Sequence, residues 1–171
     1  MGRGRPSHSE IREKITAVID KLSLSYGYEI YKHYRELFGN ATSRVIYYHL
    51  KKGVSTGEFV TVNVERVLGS FSWGDESERV YYALGPFSKS RVEWLNKTSN
   101  ITSPERNVKY DWFSEVSKNI DLLKKEAKAS VPSDKQKLVN KCDKLIKWVS
   151  QKMTSPEEYI KEVESIKTFL K

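Results

Sequence analysis

The side chains best suited to binding chemistry lie in the stretch TSRVIYYHLKK, which begins at Thr42. Its polar and aromatic members of interest are Thr42, Ser43, Arg44, Tyr47, Tyr48, Lys51 and Lys52. Arg44 can donate two hydrogen bonds to a guanine edge, hydroxyls can donate to phosphate oxygens, and ammonium groups attract phosphate without regard to sequence. A tyrosine offers an edge to a thymine methyl or a hydroxyl to a phosphate. Together these groups indicate a surface that binds nucleic acid.

These side chains need a helix to present them, and the apolar spacing predicts one. Ile46 and Leu50 are four residues apart and therefore share one helical face. The hydroxyl residues at 42 and 43 can cap the helix, and Gly57 can close it. If the apolar pair faces a core, the polar residues project from the other faces. Tyr47 stays open between a contact with DNA and packing inside the domain.

Two further helices are predicted ahead of this one. Residues 8–22 carry apolar residues at helical spacing, and Ser7 with Glu10 resembles a capping box. The apolar face of the second helix consists of Ile30, Tyr34, Leu37 and Phe38, with Tyr31 at its margin. Gly39 is a good helix stop. Two helices, a short turn and a third helix form the helix-turn-helix pattern.

A β-hairpin is predicted after the third helix. Residues 59–64 and 79–84 are rich in β-forming types, and the segment between them predicts a long tip loop. The tip holds three acidic residues, Asp75, Glu76 and Glu78, and one basic residue, Arg79. Phosphate would repel the acidic side chains. Arg66 is therefore the better candidate for a nucleic-acid contact from the hairpin. Trp73 stays open between packing on the hairpin, which we favour, and contact with a partner.

The composition changes after Gly85-Pro86. Residues 87–110 are predicted to be a connecting segment that is partly helical, and residues 111–171 a lysine-rich region of three helices broken near prolines. The apolar residues of the three helices are Trp112, Phe113, Val116, Ile120 and Leu123; Leu138, Cys142, Leu145, Val149 and Met153; and Tyr159, Val163, Ile166 and Leu170. Cys142 therefore reads as a packed thiol. The prediction is a mainly α fold with a small β-hairpin wing: a winged helix-turn-helix domain over 8–86, then a helical bundle.

The charge balance is strongly basic. Among the 171 residues are 30 lysines and arginines against 22 aspartates and glutamates, a net charge of +8. Such a balance favours a polyanionic partner. The densest basic stretch is 118–152, which lies outside the winged domain. Its lysines form either a solvated helix face or a second surface that contacts the phosphates of DNA or RNA.

The N-terminal residues 1–7 read as a basic, flexible arm. Arg3 and Arg5 stand in the sequence GRGRP, which has too little apolar surface to join a core. Arg-Gly-Arg-Pro matches the centre of an AT-hook, a motif that enters the minor groove of A·T-rich DNA. An arm in front of the first helix of a winged domain can anchor the minor groove beside a helix in the major groove, as homeodomain arms do.

Other chemistries have little support. We find no membrane-spanning run, no signal peptide, and no motif of an enzyme or of a phosphate-binding loop. His8, His33 and His49 lack the spacing of metal ligands, and one cysteine cannot form an internal disulfide. We expect a cytoplasmic, non-enzymatic protein without cofactors, metal or membrane contact.

Residues 8–86 resemble winged-helix transcription regulators of the PadR type, and also archaeal winged-helix proteins of the same broad kind. The resemblance rests on Tyr-Gly-Tyr-Glu-Ile at 26–30, Ile46-Tyr47, Gly57, and Tyr-Tyr-Ala-Leu at 81–84. It implies a dimeric repressor whose C-terminal helices make the dimer contact. The DNA contacts that it implies fall on Thr42, Ser43, Arg44, Tyr47 and Tyr48. The chain differs from the family pattern at Gly53, in its acidic hairpin tip and in its larger C-terminal region.

Three hypotheses of function follow. The first is a sequence-specific transcription regulator that binds double-stranded DNA and forms a homodimer through the C-terminal helices. The second is a winged-helix protein bound to RNA or the ribosome, in which the lysine-rich helices grip phosphates. The third is a protein-interaction module of the transcription or replication machinery. The arm and Arg44 favour the first, whereas the acidic tip and the location of the charge favour the other two.

Overall fold

The computed structural model describes residues 9–72, 74–106 and 112–170, without the side chain of Phe71. The chain divides into two compact units, Met1–Lys109 and Tyr110–Lys171. The predictions for Arg3, Arg5 and Trp73 lie outside the described residues.

Three helices build the first unit, as the apolar spacing predicted: α1 (Glu10–Leu22), α2 (Gly27–Phe38) and α3 (Ser43–Ser55). The N-cap of α1 is Ser9, whose side chain makes no capping hydrogen bond. The capping box is therefore wrong, because Glu10 stands first in the helix and not third. The predicted cap of α3 is confirmed, since the Thr42 hydroxyl accepts a hydrogen bond from the Val45 amide at 3.4 Å.

Three antiparallel strands complete the winged helix: β1 (Ser25–Tyr26), β2 (Phe59–Phe71) and β3 (Gly74–Leu84), in the order β1-β3-β2. The predicted long tip loop is wrong, because β2 and β3 pair as far as Phe71 and Gly74. In the outer part of the wing, residues 64–80, Glu65 faces Arg79 and Arg66 faces Glu78. Opposite charges across a ladder stabilise an exposed ribbon. Neither face of this outer part is buried, so its sequence shows no continuous apolar alternation.

The core of the first unit lies between the three helices and the base of the wing. Its buried members are Ile15, Val18, Ile19, Leu22, Ile30, Tyr34, Ile46, Leu50, Phe59 and Ile101. Gly53 belongs to this packing, because the Phe59 ring lies where a Cβ on residue 53 would be. Glycine at position 53 thus has a local steric reason.

The segment after the wing packs against the first unit. A short helix, α4 (Val92–Lys97), contacts α1, and the Trp94 ring meets Phe38 edge to face with 5.7 Å between ring centroids. Ile101 joins the core, and the Ser103 hydroxyl donates to the Leu22 carbonyl at 2.9 Å. These contacts hold residues 90–106 on the α1 side of the winged helix.

The second unit consists of α5 (Trp112–Ala129), α6 (Lys135–Lys152) and α7 (Glu157–Leu170), all in mutual contact. Its buried apolar residues are Val116, Ile120, Leu123, Ala127, Leu138, Cys142, Leu145, Trp148, Val149, Val163, Ile166 and Leu170. Phe113 is an exception to the predicted face: it is exposed in the first turn of α5, before the core face begins at Val116. The burial of Cys142 confirms a packed thiol. The predicted fold class is confirmed: a mainly α chain with a winged helix-turn-helix and C-terminal helices.

Candidate nucleic-acid interface

Helix α3 buries one face and exposes the polar residues that the sequence predicted. Ile46 and Leu50 are fully buried, which fixes the rotation of the helix about its axis. The exposed residues are Thr42, Ser43, Arg44, Tyr47, Tyr48, Lys51 and Lys52. Residues 37–57 form the longest stretch of the sequence without an acidic residue. A rigid helix therefore presents cations and hydrogen-bond donors with no carboxylate among them.

The Tyr47 ring packs within the domain and yet stays 44% exposed, so its contact with DNA stays a prediction. The ring lies against Gly27, the first residue of α2, where a Cβ would overlap it. Burial raises the pKa of the Tyr47 hydroxyl, and the neighbouring Tyr26 and Tyr28 add to this effect. Packing thus sets the direction of the ring, and the remaining exposed part is available to a ligand.

Tyr48, the next residue of α3, is more exposed than Tyr47. Its ring meets His49 edge to face, with 5.2 Å between the centroids. The Ser9 hydroxyl lies 3.5 Å from Nδ1 of His49. His49 thus contacts the residue before α1, and more than half of the Tyr48 side chain is open to solvent.

The outer face of α2 lies next to the candidate interface, and the sequence analysis did not identify it. Tyr28 is exposed, its ring lies 5.9 Å from that of Tyr31, and Arg35 donates to the Tyr31 hydroxyl at 3.3 Å. A polar groove joins this face to the start of α3 and is lined by Tyr31, Arg35, Asn40, Ala41, Thr42 and Ser43. A sequence signal for this face was present: Tyr28, Tyr31 and Arg35 follow one another at helical spacing, on the side of α2 opposite the buried Ile30.

On the wing, Arg66 has a competing partner. Its Nε lies 3.6 Å from a carboxylate oxygen of Glu78, and both side chains are largely exposed. Arg79 lies with its guanidinium carbon 4.8 Å from the centre of the Tyr26 ring. The Tyr81 hydroxyl donates to Glu65 at 2.8 Å. The positive charges of the wing are thus engaged within the wing and β1.

Arg106 forms a cluster at the corner where β1 passes into α2. It donates to the Leu24 carbonyl at 2.7 Å and to the Glu29 carboxylate at 2.6 Å, and Ser25 also donates to Glu29. Its guanidinium lies over the rings of Tyr26 and Tyr81. Burial acts to raise the pKa of Glu29, but the hydrogen bonds from Arg106 and Ser25 outweigh it, so the pKa lies below its ordinary value. No sequence pattern indicated this cluster, because Tyr81 and Arg106 are distant in the chain from residues 24–29.

In the second unit many of the lysines are paired. Ion pairs join Lys118 to Glu115, Lys124 to Glu162, Lys137 to Asp134, Lys141 to Glu126 and Lys167 to Asp143. Lys125, Lys128, Lys144 and Lys147 are exposed and have no ion pair within residues 112–170. The basic stretch therefore divides between lysines that are paired with carboxylates, of which Lys124 and Lys141 link two helices, and lysines that face solvent.

Over the part of the chain that the structure describes, no group of three or more histidine, cysteine, aspartate or glutamate side chains is placed to hold a metal ion. In the same residues, no helix combines the length and apolarity needed to cross a membrane.

The sequence matches no protein-family model, and no curated protein matches it. Among solved structures, the chain is similar to Bacillus subtilis PadR, in a crystal structure with operator DNA. The match covers 91% of this chain and 94% of that chain, at 14% sequence identity and a TM-score of 0.30. At this score the two backbones agree only loosely, so the winged-helix assignment rests on the helices and strands of this chain.

Proposed function

We propose that this protein is a DNA-binding transcription regulator that reads the major groove with helix α3. The observation that carries the proposal is the exposed face of α3, which holds donors and cations in the longest acid-free stretch of the chain and is fixed by fully buried Ile46 and Leu50. The second helix of a helix-turn-helix enters the major groove with its N-terminal residues against base edges. Here that end carries Thr42, Ser43 and Arg44.

Each predicted contact residue has a role within this proposal. Arg44 reads a guanine edge, the Thr42 and Ser43 hydroxyls donate to phosphates, and the exposed parts of Tyr47 and Tyr48 meet thymine methyl groups or phosphates. Lys51 and Lys52 attract the phosphate backbone of the DNA. Arg66 remains a weaker candidate, because contact with phosphate has to displace it from Glu78.

The test begins with selection of preferred duplexes from a randomised pool, followed by titration at several salt concentrations. Arg44→Ala should lower the preference for the selected duplex over a scrambled one by about tenfold, since a bidentate base contact contributes about 1–3 kcal/mol. Lys51→Ala should weaken binding to all duplexes alike and reduce the salt slope by about 1. Lys21→Ala, an exposed lysine of α1, is the matched control and should leave both quantities unchanged.

Wild-type preference and salt slope in both α3 variants would show that α3 is not the reading helix. Structured RNA and ribosomal subunits belong in the same titration, because the unpaired lysines of the second unit favour an RNA- or ribosome-bound alternative. Tighter binding to these than to any duplex, unchanged by Arg44→Ala, would replace the proposal with that alternative.

The basic arm is proposed as an auxiliary anchor in the minor groove, through Arg3 and Arg5. Deletion of residues 1–6 should weaken binding to A·T-rich duplexes more than to G·C-rich ones, since the narrow A·T minor groove attracts arginine. Equal affinities before and after deletion would remove this role and leave that of α3 untouched.

A homodimer through the C-terminal helices is proposed as the operative form. An open, mainly apolar groove between α5 and α7 supports it, with Phe169 70% exposed at its side. Exposed apolar surface of this kind is typical of interaction sites. Sedimentation of the full chain should give a dimer, and Phe169→Glu should shift it toward monomer; a monomeric parent would contradict the proposal.

A further inference from the structure

The outer part of the wing offers a free sheet edge. β2 is the last strand of the β1-β3-β2 sheet, and no described strand pairs with its outer side. Its ladder with β3 runs from Asn63 to Leu68 without a register shift. Edge strands are commonly blocked by lysine or proline, and β2 contains neither. Its unpaired backbone groups can therefore accept hydrogen bonds from, and donate them to, an added strand.

Apolar side chains stand exposed along the same edge. Alternation along a strand places Val64, Arg66 and Leu68 on one face of the ribbon. Leu68 is 76% exposed, more than any other large apolar side chain in the described residues. Glu76 faces it across the ladder. An added strand would thus find apolar contacts beside a carboxylate.

The charge of this region is opposite to that of the chain as a whole. Between residues 65 and 79 the acidic residues Glu65, Asp75, Glu76 and Glu78 outnumber Arg66 and Arg79, whereas the chain carries +8. Arg66 lies beside Glu78 and Arg79 lies over Tyr26. Asp75 and Glu76 have no ion pair within the described residues. Such a surface repels phosphate and attracts lysine and arginine.

We infer that the outer wing binds an extended polypeptide segment rich in lysine or arginine, which adds to the β2 edge as a further strand. Backbone hydrogen bonds hold the segment, apolar residues of the segment cover Val64 and Leu68, and its cations meet Asp75 and Glu76. The added strand lies in the plane of the ribbon, whereas Arg66 projects from its flat face, so this role and a phosphate contact by Arg66 are compatible. The inference goes beyond DNA binding and does not depend on it.

The test uses the full chain and two synthetic peptides of one valine-containing sequence, which carry either lysine or glutamate at the same positions on both faces of the extended strand. The lysine peptide should bind, and the glutamate peptide should not. The double variant Asp75→Asn, Glu76→Gln should weaken binding about fivefold, as expected for two exposed ionic contacts. The matched control is Glu93→Gln, Glu105→Gln, which removes two exposed carboxylates elsewhere and should bind like the parent.

Hydrogen exchange locates the peptide. Alternate amides within residues 63–68, those whose N–H groups point away from β3, should gain protection when the lysine peptide is bound, because the added strand pairs with them. Absence of binding, equal binding of both peptides, equal loss in the control variant, or no added protection would each overturn the inference. Protection of these amides by duplex DNA, with tighter DNA binding by the Asp75→Asn, Glu76→Gln variant, would also overturn it by placing the outer wing on the duplex.

Discussion

At the residue scale, two glycines meet the same kind of steric limit with different consequences. A Cβ on Gly53 would overlap the Phe59 ring, and a Cβ on Gly27 would overlap the Tyr47 ring. Phe59 is buried in the core, whereas Tyr47 is nearly half exposed. A ring with access to solvent can turn aside, and a ring enclosed by the core cannot.

Gly53→Ala should therefore destabilise the first unit by about 1–3 kcal/mol, the range for overpacked cores. The overlap outweighs the roughly 1 kcal/mol that alanine gains over glycine inside a helix. Urea denaturation followed by circular dichroism measures the change, with Ser55→Ala on the same helix as the control. A variant as stable as the parent would show that Phe59 repacks freely.

Gly27→Ala should instead cost less than about 1 kcal/mol, because Tyr47 can rotate outward. The displaced ring changes the surface beside Arg44, so we expect weaker binding to the selected duplex. Comparison with Tyr47→Ala separates the effects: if Tyr47 is the mediator, Gly27→Ala in a Tyr47→Ala background should have no further effect on affinity. An additive loss would contradict this mechanism.

At the element scale, the segment after the wing determines how the corner between β1 and α2 is held. Arg106 links Leu24, Glu29 and the rings of Tyr26 and Tyr81. Gly27, on which Tyr47 packs, lies in the same corner. Contacts of the segment after the wing thus support the start of α2, and through α2 the orientation of α3.

Arg106→Ala should destabilise the protein by about 2 kcal/mol at neutral pH, as expected for loss of a half-buried charged hydrogen bond. The pKa of Glu29 is lowered in the folded state, so its contribution is present above the unfolded pKa and is lost as pH falls through the folded pKa. The stability difference between parent and variant should therefore shrink at acidic pH. Urea denaturation at pH 7 and pH 3 measures it, and Glu36→Gln, an exposed carboxylate of α2, is the control.

The wing shows why an element can escape sequence analysis. Its base carries β-branched alternation, because Phe59 and Val60 pack on the core. Its outer part has no buried face, so charged, small and exposed apolar residues such as Leu68 occur there without a period. Pairing of Glu65 with Arg79 and of Arg66 with Glu78 extends the strands, and only the register reveals that pairing.

At the scale of the whole molecule, the positive charge has two different uses. Some lysines of the second unit join its helices through carboxylates, as Lys124 with Glu162 and Lys167 with Asp143 do. The lysines of α3 face solvent in a stretch without carboxylates. Net charge alone does not distinguish these two uses.

We expect the salt dependence of duplex binding to come from α3 and not from the second unit. Lys144→Gln with Lys147→Gln should leave the salt slope unchanged, whereas Lys51→Gln with Lys52→Gln should lower it by about 2. Titration of one duplex at several salt concentrations measures both slopes. A lowered slope for the first pair would identify a second phosphate-binding surface on α6.

The sequence by itself determined the helices, the helix-turn-helix and the outward face of α3. Helix formation depends on local apolar spacing, which can be read along the chain, as with Ile46 and Leu50. The tertiary structure alone decided the pairing of the outer wing, the two-residue strand β1, the packing of Tyr47 on Gly27 and the Arg106 cluster. Strand β1, the Tyr47 contact and the Arg106 cluster join residues far apart in the chain, and the outer wing pairs residue types that follow no period, so local patterns encode none of these features.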